Sequence, residues 1–252
     1  MADGQLSLVL GAVVFAGGGI GLFLQHFLHD SFTTGGPRDM IGAVVGLLTL
    51  LSALVLGLLI WTAYGVYSGQ NIAVQTLAAK LLQLDHALID YGPDADPGRA
   101  QLRQDLEAIW NSDQGAVQFA ARNFADANDD LRRKQDYLQS LTPSTDKQKQ
   151  ALAAAMQTID SIGQSRLQMS FALSAPISYP LLLIVVGWVV FLFCGFGLMS
   201  KGAPMPVVAL AIGAVAVASA VLLILDLSNP YLGLIRASPA PLEEALAIMK
   251  KE

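Results

Sequence analysis

Ile41-Gly-Ala-Val-Val-Gly-Leu-Leu-Thr-Leu-Leu-Ser-Ala-Leu-Val-Leu-Gly-Leu-Leu-Ile-Trp-Thr-Ala-Tyr64 decides the fold. No Asp, Glu, Lys or Arg occurs from Met40 to Ala79. Each helical residue rises about 1.5 Å and the hydrocarbon core of a bilayer is about 30 Å thick, so roughly 20 such residues span it. Strict alternation, the mark of a barrel strand, is absent. Within lipid every backbone donor and acceptor must be satisfied inside the segment, so the stretch is a helix.

Three more blocks share this character. Charges are missing from Gly4 to His29, from Leu167 to Ser200 and from Gly202 to Leu225. They yield spans Leu6 to Leu28, Ile177 to Leu198 and Val207 to Leu225. The chain has 252 residues, 54% hydrophobic and 14% charged, against about 25% charged in soluble domains. Its charges crowd between Lys80 and Arg166. One soluble core would intersperse them along every amphipathic element. The fold class is therefore all-α: a polytopic membrane protein with four transmembrane helices and a cytoplasmic helical bundle between helices two and three. The expected domains are 1–68 (spans one and two), 69–170 (bundle), 171–226 (spans three and four) and 227–252 (tail with a short helix).

Local signals mark the ends of the spans. Asp30 to Pro37 is a turn-rich connection. Pro176 and Pro180 open span three and Pro204 and Pro206 open span four, where a missing N–H costs little. Trp61, Tyr64, Tyr67 and Tyr179 mark one interface. With four spans the termini and the bundle share a side, which holds all of the 15 basic residues except Arg38 and Lys201. That bias places both termini in the cytoplasm, at a cell (inner) membrane. The Met-Ala-Asp-Gly-Gln start lacks the basic n-region of a secretory signal, so span one is read as retained.

Glycines recur in the spans: Gly17, Gly18, Gly19 and Gly21 in the first, Gly42, Gly46 and Gly57 in the second. Small residues admit the close helix approach on which packing in lipid depends, within a chain or between subunits. They would also admit a pore or a moving helix. Ionisable groups are confined to His26 near the end of span one and Asp226 just beyond span four. Coupled transport needs carboxylates or His at mid-membrane depth, so it is disfavoured, whereas an apolar channel gated by dewetting is not.

Beyond the second span, Val74, Leu77, Leu81, Leu84, Leu88 and Tyr91 recur every three or four residues. That stripe predicts one face of a helix continuing span two, which Tyr91-Gly92-Pro93-Asp94 ends. Helices follow over Arg99 to Trp110, Asp113 to Ser140 and Asp146 to Met169, with Leu141-Thr-Pro-Ser-Thr-Asp146 breaking the chain. Asp126, Asp129 and Asp130 with Arg132, Arg133 and Lys134 read as a solvated helix face, because the glycine turn and distal Glu of a calcium loop are missing. Asp85 and His86 are sequence neighbours and so point in different directions. Cys194 stands alone in an apolar run, without a disulfide or metal partner. No catalytic constellation, glycine-rich phosphate loop or metal spacing emerges, and no basic tract suggests nucleic acid. The expectation is a non-enzyme with no cofactor, no metal and no nucleic-acid partner.

The tail reads Leu225-Asp-Leu-Ser-Asn-Pro-Tyr-Leu-Gly-Leu-Ile-Arg-Ala-Ser-Pro-Ala-Pro-Leu242. Asp226 ends span four, Asn229-Pro230 starts a turn, Gly233 permits a positive φ, and Ser238-Pro239 opens a last helix through Lys251. Asp226, Asn229, Pro230, Gly233 and Arg236 are its structural positions. This tail resembles the closing motif of the bacterial bestrophin-like domain family. So do Ala53-Leu-Val-Leu-Gly-Leu-Leu59, Leu84-Asp-His-Ala-Leu-Ile-Asp-Tyr-Gly-Pro93, Gly187-Trp188 and Phe196-Gly-Leu198. Bestrophins are pentameric anion channels, so the resemblance implies a membrane fold, a homo-oligomer (a pentamer if bestrophin-like) and inorganic anions as permeants. The acidic calcium clasp of bestrophins has no counterpart here. If span two lines the pore, Thr49, Ser52 and Thr62 are its hydroxyl-bearing candidates before Tyr64. The competing reading is a non-conducting, membrane-anchored interaction or sensor module that works through its helical bundle.

Overall fold

A computed structural model describes residues 2–27, 35–111, 124–174, 179–200, 205–229, 235–236 and 238–251. Its helices are α1 (Ala2–Phe27), α2 (Gly36–Tyr91), α3 (Asp96–Asn111), α4 (Phe124–Ser140), α5 (Asp146–Ser174), α6 (Tyr179–Met199), α7 (Met205–Ser228) and α8 (Ala240–Met249). A 3₁₀ turn, Pro93–Ala95, separates α2 from α3, and no strand occurs among the described residues. Four helices are long and apolar enough to cross a membrane: α1, α2, α6 and α7. Two compact units emerge, residues 1–65 with 176–228, and 66–175 with 229–252.

In the first unit α1 packs along α6 and α7. Its inward face reads Ser7, Gly11, Val14, Gly18 and Gly21, at helical spacings of three and four. Close approach explains two of the glycines. At Gly21 a Cβ would strike the Cys194 carbonyl of α6. At Gly197, opposite, it would strike the Gly18 carbonyl and lie 2.8 Å from the Leu22 amide nitrogen. Gly11, Gly17, Gly18 and Gly21 of α1 are thus spent on helix contacts inside one chain, whereas a Cβ at Gly19 would meet no atom within 4 Å. Helix α2 meets α6 antiparallel: Gly42 faces Met199, and one turn on Val45 presses on Gly195.

Helix α2 continues unbroken past its apolar part, since nothing stronger than Gly65 and Gly69 interrupts it. It stops at Tyr91 because Gly92 takes φ +108, a conformation that suits glycine. In the second unit all six stripe positions, Val74, Leu77, Leu81, Leu84, Leu88 and Tyr91, are buried. They join a core with Leu102 and Leu106 of α3, Leu138 of α4, Ala155, Ile159 and Ile162 of α5, and Leu242, Leu246 and Met249 of α8.

Several boundaries differ from the sequence reading. Residues 113–123 of the expected Asp113–Ser140 helix, and Pro230 and Gly233 of the tail, lie outside the described residues. The side chains of Ile109, Phe119, Phe124 and Asp126 do too. Asp226 does not end helix α7. Helix α7 runs on to Ser228, whose Oγ donates to the Ile224 carbonyl at 2.6 Å, and Asp226 is buried within it and engaged. The last helix keeps its expected start, with the Ala240 amide donating to Ser238 Oγ at 3.3 Å.

Candidate functional site

The apolar part of α2 differs from its neighbours in how little of it is covered. Only 17% of its most apolar stretch is buried, against 22% in α7, 39% in α1 and 44% in α6. Val45, Ser52, Leu59 and Ala63 form the covered face. Leu47, Leu50, Leu54, Leu58 and Trp61 stand exposed, each with more than half its surface free. Gly46 and Gly57 are exposed as well, and a Cβ at either would meet no atom within 4 Å. On a helix of 3.6 residues per turn, Gly46, Ala53 and Gly57 fall within an arc of about 40°. In one chain, then, α2 presents a flat, glycine-bearing strip beside a ridge of leucines.

The three hydroxyl candidates do not share a face. At about 100° per residue, Thr49 and Thr62 point about 140° apart. Both are exposed, whereas Ser52 is 4% exposed on the covered side. Thr49 Oγ1 donates to the Val45 carbonyl at 2.8 Å and Thr62 Oγ1 to the Leu59 carbonyl at 2.9 Å. A hydroxyl has one proton to give, and these protons are already given to the backbone. The hydroxyls on the exposed side of α2 are therefore not ready donors to anything outside the chain. Ser52 Oγ is buried and finds no hydrogen-bond partner. Removing a hydroxyl that makes no bond forfeits little, so Ser52→Ala is expected to hold or slightly raise the thermal midpoint. A scanning-fluorimetry midpoint of the detergent-solubilised protein checks this, and a marked drop would show that the hydroxyl is bonded.

Of the other polar groups in this unit, His26 Nδ1 lies 3.0 Å from the Leu22 carbonyl on the exposed side of the last turn of α1. It serves a helix end. Among the described residues no group of His, Cys, Asp and Glu could hold a metal.

The second unit carries polar chemistry that sequence reasoning missed. Asp85 is fully buried. It accepts two bonds from Arg99, Nε to Oδ1 at 2.9 Å and Nη2 to Oδ2 at 3.2 Å. The signal for it was the step from Leu84 to Asp85 on an inward face, with Arg99 the first cation beyond the turn. Tyr137 fastens the same corner: its hydroxyl accepts from the Gly98 amide at 3.2 Å and donates to the Asp94 carbonyl at 3.3 Å. Burial, then Asp94 and Tyr137, pushes the neighbouring Tyr91 phenol above its usual range. The run read as a solvated face is only partly so. Asp129, Arg132 and Arg133 are exposed. Asp130 and Lys134, one turn apart, instead face inward: Lys134 Nζ lies 2.7 Å from Asp130 and 2.5 Å from Asp105, and Arg166 lies 3.7 Å from Asp130. Lys80 spans α2 and α5, donating to the Ser161 carbonyl at 2.9 Å and to Ser165 Oγ at 2.7 Å.

The described geometry is four apolar helices, one of them prolonged into a second helical unit that also takes in the tail helix. A family model of the bestrophin-like domain matches residues 11–242, nearly the whole chain. The chain belongs to the bestrophin-like family. The match runs from the inward face of α1 to the first turn of α8, so it takes in both units. The family and the four apolar helices together mark a membrane protein. Neither a curated protein nor a solved structure matches the chain.

Proposed function

We propose that this bestrophin-like protein is a homo-oligomeric, uncoupled ion pore, permeable to inorganic anions, with α2 bordering its axis. The observation that carries the reading is the exposed face of α2. It is the least covered of the apolar helices, and its glycines at 46 and 57 touch nothing within one chain. A second copy laid along that strip would bring two backbones close, as packing in lipid favours. The leucine ridge beside it would then line a dewetting constriction. The pentamer of bestrophins is the assembly that the family suggests. Both termini and the second unit would face the cytoplasm, on the side holding most of the basic residues.

Purified protein in planar bilayers is expected to show discrete unitary currents. Replacing Thr62, exposed and about 40° from Leu58 of the ridge, should change their size. Gly46→Leu and Gly57→Leu meet open space within the chain, so each should keep the fold while reducing the oligomer to smaller species in native mass spectra. Silent bilayers from a monodisperse oligomer would overturn the pore, and an unchanged oligomer in both glycine variants would overturn the interface.

One observation favours a second reading. Helix α2 runs from Gly36 to Tyr91 without a break, so a rotation or shift imposed at one end is carried to the other. A membrane-anchored sensor that conducts nothing would use the same helix. In that case a chain lacking residues 95–165 loses its cellular effect, and neither form passes current. A conducting deletion variant would exclude the sensor reading.

A further inference from the structure

We draw no further inference here: the strongest candidate, the cavity of about 780 Å³ in the second unit between the α2 leucines Leu84 and Leu88 and the charged side of α4, already has Lys134 paired with Asp105 and Asp130 and the Tyr137 hydroxyl bonded on both sides, and nothing in the structure shows what would fill it.

Discussion

Gly21→Val and Gly197→Val are each expected to destroy the α1–α6 pairing, and with it the folded membrane unit. The two glycines face one another across the same contact. Each added side chain runs into backbone, the Cys194 carbonyl in one case and the Gly18 carbonyl in the other. Backbone within a helix cannot swing aside as a side-chain tip can, so relief requires the helices to separate along their length. Ordinary overpacking costs about 1–3 kcal/mol, and a clash with backbone on a shared helix seam belongs at or above the top of that range. Because both changes break one contact, the double variant should cost clearly less than the sum of the singles. Fluorescence-detected size exclusion of the solubilised protein is the direct measurement. The single variants should lose the sharp peak, while Gly46→Ala, which meets open space, should keep it. A sharp peak from Gly21→Val would mean that α1 and α6 are not packed as described.

The contrast between those glycines shows where reading the sequence stops. Charge-free blocks of about 20 residues locate the apolar helices, because the cost of burying charge in lipid acts on composition alone. The three- and four-residue spacing of Val74 to Tyr91 likewise shows that one face will be buried, and the glycine at 92 shows where the helix must end. Which helix fills a given glycine's gap is a different kind of fact. Gly21 and Gly57 look alike in the sequence, yet one sits against α6 and the other against nothing in the chain. That outcome depends on how the helices are arranged, which no local pattern encodes. The hydroxyls of α2 differ in exposure for a related reason. Spacings of 3 and 10 residues spread Thr49, Ser52 and Thr62 over an arc of about 140°, and only the structure shows which part of it is covered. The tail helix is a third case. Leu242, Leu246 and Met249 are apolar enough to need burial, but nothing in their spacing names the core they join.

Arg99→Met should be the most damaging single change in the second unit, because of what it leaves behind. Asp85 has no exposed surface, and Arg99 supplies both of its guanidinium bonds. Removing one partner of a buried ion pair strands the other charge and costs about 3–5 kcal/mol, a large part of a domain's total stability. The pair also ties the start of α3 to α2 across the Gly92 turn, so the damage should appear first as loosening of α3. Limited proteolysis followed by mass spectrometry should show cleavage opening between Gly92 and Leu106 in Arg99→Met while α1, α6 and α7 stay resistant. Asp85→Leu in the same chain removes the stranded charge and replaces it with a side chain of similar bulk. Apolar substitutes for a buried pair are often neutral or better, so the double variant should recover most of the lost protection. Recovery identifies charge burial as the cause of the damage. A double variant as labile as Arg99→Met would instead mean that the geometry of the two guanidinium bonds, rather than their charge, holds α3 in place.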